Sequence, residues 1–248
     1  PVHDLDSLVR AAEAAERRGL PYIIDPILDP IHFGFSASLC RFIEARRRLP
    51  NAEMMMGTGN LTELTEVDSG GLTGVLIGLC SELAIRNVLT VQVSPHTRRT
   101  IEEHDAARRL MFASAADGAL PKGYGAGLLQ LHDKAPHPST PDEIAEMAGE
   151  VRDRNFRILT AEDGIHIFNR DGHHIARDAF SLYPKLGVEA DGAHAFYLGT
   201  ELAKAEIAFL LGKRYAQDEP LDWGCGADRR EEDQDRLRAA GHTLRPKE

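Results

Sequence analysis

Met54-Met55-Met56-Gly57-Thr58-Gly59-Asn60-Leu61-Thr62-Glu63-Leu64-Thr65-Glu66-Val67-Asp68 is the stretch from which the fold is read. A short apolar run stops at Gly57, polar side chains follow, and Asp68-Ser69 open a new amphipathic stretch. That order fits one βα unit. Two neighbours end in the same way: Tyr22-Ile23-Ile24 runs into Asp25-Pro26, and Val88 to Val93 runs into Ser94-Pro95-His96. In parallel α/β folds, ligands bind at the carboxyl ends of such strands. Taken alone, Gly57 is equally well an ordinary loop glycine. The shared ending of three strands favours a site.

Helical patterns alternate with these strands. Leu5, Leu8, Val9, Ala12 and Ala15 share one face of a helix capped by Asp4 or Asp6 and stopped at Gly19. Ser36 to Arg48 is a second helix, with Leu39, Cys40, Phe42 and Ile43 inward and Arg46, Arg47 and Arg48 solvated. A third spans about Asp68 to Leu83, with Leu72, Val75, Leu76 and Leu79 in one stripe. A fourth spans Thr97 to about Ala116. A strand roughly every 30 to 35 residues, each followed by a helix, is the period of a parallel sheet. Closing a (β/α)8 barrel takes eight strands, and residues 1–120 supply three. Together with Pro1 in place of an initiating Met, this leads us to expect half of a barrel whose beginning is absent from the sequence.

Gly, Pro and polar residues dominate 121–141, a linker or covering loop. A smaller α+β domain is expected over 142–225. It begins with a helix from Asp142 to Arg152, capped by Thr140. Hairpin turns follow at Asp163-Gly164 and Asp171-Gly172. A helix from Gly199 to Tyr215 should pack on Ile165, Ile167 and Phe168 through Leu202 and Ile207. The charge-rich segment 226–248 reads as a flexible tail. His166, His173, His174 and His194, with Asp171 and Asp178, invite a metal reading. His173 and His174 point to opposite faces of a strand, so a polar hairpin is the reading adopted, with no metal site.

The net charge of −10 offers no basic excess for neutralising phosphates, which argues against a nucleic-acid partner. No apolar stretch approaches the roughly 20 residues of a membrane span, and no signal peptide is visible. Cys40, Cys80 and Cys225 are far apart and odd in number, which fits a reducing, cytoplasmic setting.

If the three strands are parallel neighbours, Asp25, Asn60 and His96 emerge at one mouth. A carboxylate, an amide and an imidazole there suit a heterocycle bearing several N–H donors and one or two acceptors. Asp29 is either a second acceptor or a turn cap. His96 either joins the site or precedes the next helix.

Tyr22-Ile23-Ile24-Asp25-Pro26 with Gly34-Phe35 resembles the sixth barrel strand of dihydropteroate synthases, whose Asp binds pterin. Val91-Gln92-Val93 and His96 occupy the place of that family's final strand, and Met56 to Thr62 that of its Gly-x-Ser-Arg-Lys segment. No Lys follows Gly59, and Gln92 stands where the Arg would be. Gly-Asn-Leu-Thr-Glu-Leu-Thr, Asp191 to Gly199 and Lys213 to Asp218 are more similar still to the dihydropteroate synthase-like proteins linked to tetrahydromethanopterin metabolism. This resemblance covers nearly the whole chain. It implies a transferase that joins a hydroxymethyl-dihydropterin pyrophosphate to an aminobenzene-type amine. Asp25, Asp29, Asn60, Thr62, Gln92, His96 and Arg98 would bind substrate, with Arg98 and Arg99 the local cations for pyrophosphate. It implies no tightly bound cofactor, with Mg2+ accompanying the pyrophosphate, and a homo-oligomer. Gly57 to Thr62 is also similar to the Gly-x-Ser-Asn-x-Ser segment of pterin-dependent methyltransferases, and a non-catalytic pterin-binding protein is a third reading.

Overall fold

The computed structural model describes residues 4–228, so the expected tail from 229 onward lies outside the described residues. Helix α1 (Leu5–Arg17) starts where the Asp4 carboxylate accepts from the N–H groups of Asp6 and Ser7. Helix α2 (Phe35–Arg48) follows Gly34, strand β1 is Met55–Gly57, and a single turn α3 (Gly59–Thr62) comes directly after it. Helix α4 (Ser69–Glu82), strand β2 (Asn87–Leu89) and helix α5 (Thr100–Ala116) complete the first unit.

β1 and β2 pair in parallel, Met55 to Asn87, Met56 to Val88 and Gly57 to Leu89. Ile24 adds one parallel bridge, to Met54. Three chain segments thus run side by side in the expected direction, and the described residues close no barrel. Ile24, Met54 and Met56 point toward the helices and are buried with Phe42, Leu76 and Cys80. Ile23 and Leu89, on the opposite side by strand alternation, are 54% and 56% exposed.

Several boundaries differ from expectation. The strand expected over Val88 to Val93 ends at Leu89, because the N–H groups of Val93 and Ser94 donate to the Glu63 carboxylate instead of to a strand. The strand expected at Tyr22 to Ile24 is reduced to its one bridge. In α4 the buried stripe is Thr73, Leu76, Ile77 and Cys80, and Val75 faces outward. In α2, Phe42 and Ala45 are buried while Cys40 and Ile43 are exposed. Arg46 is not solvated either. It donates to the carbonyls of Leu83, Pro50 and Ala52, tying α2 to the ends of its neighbours. The fourth helix starts at Thr100, after a tight turn over Pro95–Thr97.

The second unit opens with α6 (Pro141–Glu150), capped by Thr140 and Glu143 in a reciprocal capping box. Strands β3 (Arg157–Ala161), β4 (Gly164–Asn169) and β5 (Gly172–Ala176) form an antiparallel meander in that order. A short turn of helix α7 (Ala179–Leu182) leads to α8 (Gly192–Leu211). α8 begins at the Asp191 cap and ends at Gly212 in the left-handed region, so it starts about two turns and ends about one turn earlier than the Gly199 to Tyr215 expected. Ile165 and Ile167 pack against α8 with Leu202. Phe168, one residue on, lies on the other face with Ile144 of α6, and Ile207 is 41% exposed. Consecutive strand residues cannot share a face, so Ile167 and Phe168 were never able to share a core.

Candidate functional site

Three loops leave the carboxyl ends of the parallel segments: 25–34, 58–63 and 90–97. In the first, the Asp25 carboxylate accepts from Ile27 N–H at 2.9 Å. Ile27 and His32 sit at φ 67° and 68°, uncommon for any residue with a Cβ and costly for a β-branched one. Arg41 of α2 holds this loop down. Its Nε donates to Pro26 O at 2.5 Å, and its Nη2 donates to Ile27 O at 2.6 Å and to Asp29 Oδ2 at 2.8 Å. Asp29 is buried in that contact, where its charge braces the loop. Gly34 is required at the loop's end. Its φ is 119°, and a Cβ there would meet Asp29 Oδ2 at 3.1 Å.

The second loop is tied to both others. Asn60 Nδ2 donates to Leu28 O at 2.8 Å. Because a carbonyl oxygen only accepts, the atom facing Leu28 must be the amide nitrogen, and Asn60 Oδ1 points elsewhere. Thr62 is fully buried, with its hydroxyl on Thr58 O. It holds the α3 turn and does not reach the mouth. Thr58 Oγ1 lies 3.0 Å from His104 Nε2, whose Nδ1 lies 2.6 Å from Thr100 O. The Thr100 carbonyl fixes the proton on Nδ1, so Nε2 accepts from the Thr58 hydroxyl. Burial pushes the His104 pKa down, which keeps that neutral tautomer.

The third loop crosses the second. Val91 Cγ2 would lie 2.8 Å from a Cβ on Gly59, so a side chain there would oblige Val91 to shift. Glu63 then gathers the loop by accepting from Val93 N, Ser94 N and Thr97 Oγ1 at 2.8, 2.9 and 2.8 Å. These donors stabilise the ionised form and pull its pKa from 4.5 to about 2. A depressed carboxylate pKa stabilises the fold above its unfolded value and loses that contribution on acidification. We therefore expect a Glu63-dependent loss of stability as pH falls from about 4.5 toward 2. Acid titration of the melting temperature should show it in the parent and show it blunted in Glu63→Gln.

Asp25, Asn60 and His96 all follow the carboxyl ends of parallel segments, as the pattern predicts. His96 Nε2 is engaged, donating to Thr62 O at 3.1 Å. Gln92 donates its amide to Arg98 O and is exposed. Arg98 is exposed and makes no ion pair among the described residues. Arg99 is directed away, to Cys225 O and Asp228, and cannot serve the mouth. One Asp25 oxygen, Asn60 Oδ1, the exposed Arg98 guanidinium and the buried Thr90 hydroxyl are left without a hydrogen-bond partner among the described residues of these loops. Arg41, Glu63 and His104, which shape the mouth, were not anticipated. Arg41 was hidden by a helical pattern in which Arg reads as solvent-facing, and Glu63 by its place in a polar loop.

Elsewhere, the carboxylate of the buried Glu103 accepts from Ser69 Oγ and Gln130 Nε2 at 2.7 and 3.0 Å, joining α4 and α5 to the linker. In the second unit Asp163, His166 and His173 form a hydrogen-bonded chain of 2.8 and 3.0 Å. Since both ring nitrogens of His166 are used, it has none left for a metal. Among the described residues no group of three or more His, Cys, Asp and Glu is placed to hold one. The Lys213 to Asp218 string is structural: Tyr215 donates to Glu201, Gln217 pairs with the β3 edge, and Asp218 accepts from Tyr197.

No family model matches the chain, and no solved structure matches it. It is similar to "Uncharacterized protein MJ0107" of Methanocaldococcus jannaschii, 29% identical over 230 residues. That match takes in 79% of this chain and 42% of the archaeal protein, so the chain spans less than half the relative's length. No helix among the described residues is long and apolar enough to cross a membrane.

Proposed function

We propose that the mouth built by loops 25–34, 58–63 and 90–97 binds the ring edge of a pterin, within a dihydropteroate synthase-like transferase. The three parallel segments would be part of a larger pterin-binding (β/α)8 barrel. The observation that carries the reading is the orientation of Asn60. With its nitrogen spent on Leu28 O, it offers an acceptor oxygen beside the loop of Asp25, which offers another. A pterin presents an amino group and ring N–H groups along one edge, and two acceptors suit them. In the reaction the amine attacks the exocyclic methylene carbon, a C–N bond forms, the C–O bond breaks, and pyrophosphate leaves with the electron pair. The amine proton is then lost. Arg98 is the cation of the mouth that would meet the leaving group, and Mg2+ would arrive with the pyrophosphate.

A second reading is favoured by the missing Lys and by Gln92 in place of Arg: a mouth that binds methyl-pterin, as in pterin-dependent methyltransferases. Single-turnover assays of the full-length protein with pterin pyrophosphate and amine, against methyl-pterin and a methyl acceptor, separate the two. Binding of pterin with turnover in neither would leave a non-catalytic pterin-binding protein.

Asn60 gives the direct test of the site. Asn60→Ala should weaken dihydropterin binding by about 1 to 3 kcal/mol, roughly five- to 150-fold, and lower stability only slightly because the side chain is exposed. Asn60→Asp should do more, since it sets an oxygen against the Leu28 carbonyl and releases the Asp25 loop. Pterin affinity that falls only in step with the folded fraction would remove the site.

A further inference from the structure

We propose that the second unit carries its own ligand site, distinct from the strand mouth, which takes a small carboxylate with an apolar body. A cavity of about 1060 Å³ opens between the β-meander, the segment after α7 and the start of α8. That volume is in the range of small-molecule pockets. Phe156, Leu186, Val188 and Leu198 give it an apolar floor. Leu186 and Leu198 are buried members of the second core, so the floor is anchored in the fold.

Its polar walls are already fixed. Gln217 accepts from Ile158 N at 2.9 Å and donates to Phe156 O and to Tyr197 Oη at 3.2 and 2.9 Å. Tyr197 donates to Asp218 at 2.6 Å, and Asn169 donates to Arg154 O at 3.1 Å. Groups locked in this way form a rigid frame and have little hydrogen-bonding capacity left for a ligand.

The capacity that remains is cationic. Lys185 and His174 line the cavity and make no hydrogen bond or ion pair among the described residues. Arg154 meets Asp171 only at 3.5 Å, with both side chains largely exposed, a contact worth little. Of the cavity's permanent cations, Arg157 is held by both Asp153 oxygens at 2.5 and 2.7 Å and Arg154 faces Asp171, which leaves Lys185 as the one without a carboxylate partner among the described residues. That unpaired ammonium suits one negative charge. The start of α8 is not the anion holder, because Asp191 already caps it. An apolar floor, rigid walls and a single uncompensated cation on the rim describe the complement of an aryl or alkyl carboxylate.

The test uses the full chain and 2-naphthoate as the probe, followed by its own fluorescence. Its neutral isostere, 2-naphthamide, reports what the charge adds. We expect saturable naphthoate binding, at least about tenfold weaker binding of the amide, and a loss of about tenfold in Lys185→Gln, the effect of one charge-assisted contact. His174→Gln should leave a smaller deficit. Lys185 is exposed, so its variant should fold normally. Absence of naphthoate binding, equal binding of acid and amide, or an unaltered Lys185→Gln would each overturn the inference. So would loss of binding in Arg98→Gln with Lys185→Gln unaffected, since that places the probe at the strand mouth. Because no pterin enters the assay, failure here leaves the pterin reading to its own test.

Discussion

Arg41→Met should cost about 3 to 5 kcal/mol of stability, the usual penalty for removing one partner of a buried ion pair. For a chain of this length that is roughly 6 to 20 °C in melting temperature. The guanidinium does three jobs at once: it neutralises Asp29 and satisfies the carbonyls of Pro26 and Ile27. Met keeps much of the aliphatic stem, so packing loss contributes little. The second half of the prediction concerns the mouth. Ile27 is held at φ 67°, and without Arg41 nothing in α2 keeps the loop in that state. Leu28 O should move away from Asn60, and pterin affinity should fall further than the folded fraction does. Asp29→Asn in the Arg41→Met background should recover part of the stability and none of the affinity. Denaturation curves and ligand titrations on the parent and the two variants check both halves. A single variant with parental stability would show that the ion pair does not brace the loop.

Lys213→Met is the second large effect, expected at about 2 to 4 kcal/mol. Lys213 is fully buried, yet its Nζ has a carbonyl partner, Gln130 O at 3.0 Å. Asp133 stands 4.0 Å away, and the Trp223 ring centre 4.9 Å. Around it, Asp133 N donates to Gly212 O, His132 donates to Leu211 O, and Arg214 N donates to Asp133. The linker is thereby stitched to the end of α8, and Lys213 is the buried member of the seam. Met matches its length but leaves Gln130 O without its donor and Asp133 without its nearest cation. Faster proteolysis within residues 118–136 should accompany the lower melting temperature. Cleavage at the parental rate in a destabilised Lys213→Met would place the damage elsewhere.

The βα alternation was legible because it is written in long apolar periods: Met54 and Met56 inward, Leu76 and Cys80 on one helix stripe. The positions of Asp25 and Asn60 after strand ends followed from the same pattern. Strand ends were not legible, because side chains far away in sequence decide them. Nothing around Val91 announces that Glu63 will take the amides of Val93 and Ser94. The bracing contacts of Asp29 and Thr62 were not legible for a related reason. A polar residue in a site-like loop looks the same in sequence whether it faces a ligand or, like Asp29, meets an Arg from a helix twelve residues later. The α8 boundaries were within reach, since Asp191 and Gly212 are ordinary helix signals, but the interior Gly199 drew the start away from them.

Gln217 has a bearing on how this chain associates. Its amide accepts from Ile158 N and donates to Phe156 O, so a side chain stands where a fourth strand would sit beside β3. Unsealed strand edges are templates for intermolecular pairing and for aggregation. The meander is shielded on that flank by a single residue, whereas β2, with Val88 and Leu89 exposed, has no such shield among the described residues. Cross-strand association between molecules should therefore start at β2, and loss of the Gln217 amide would open a second front at β3.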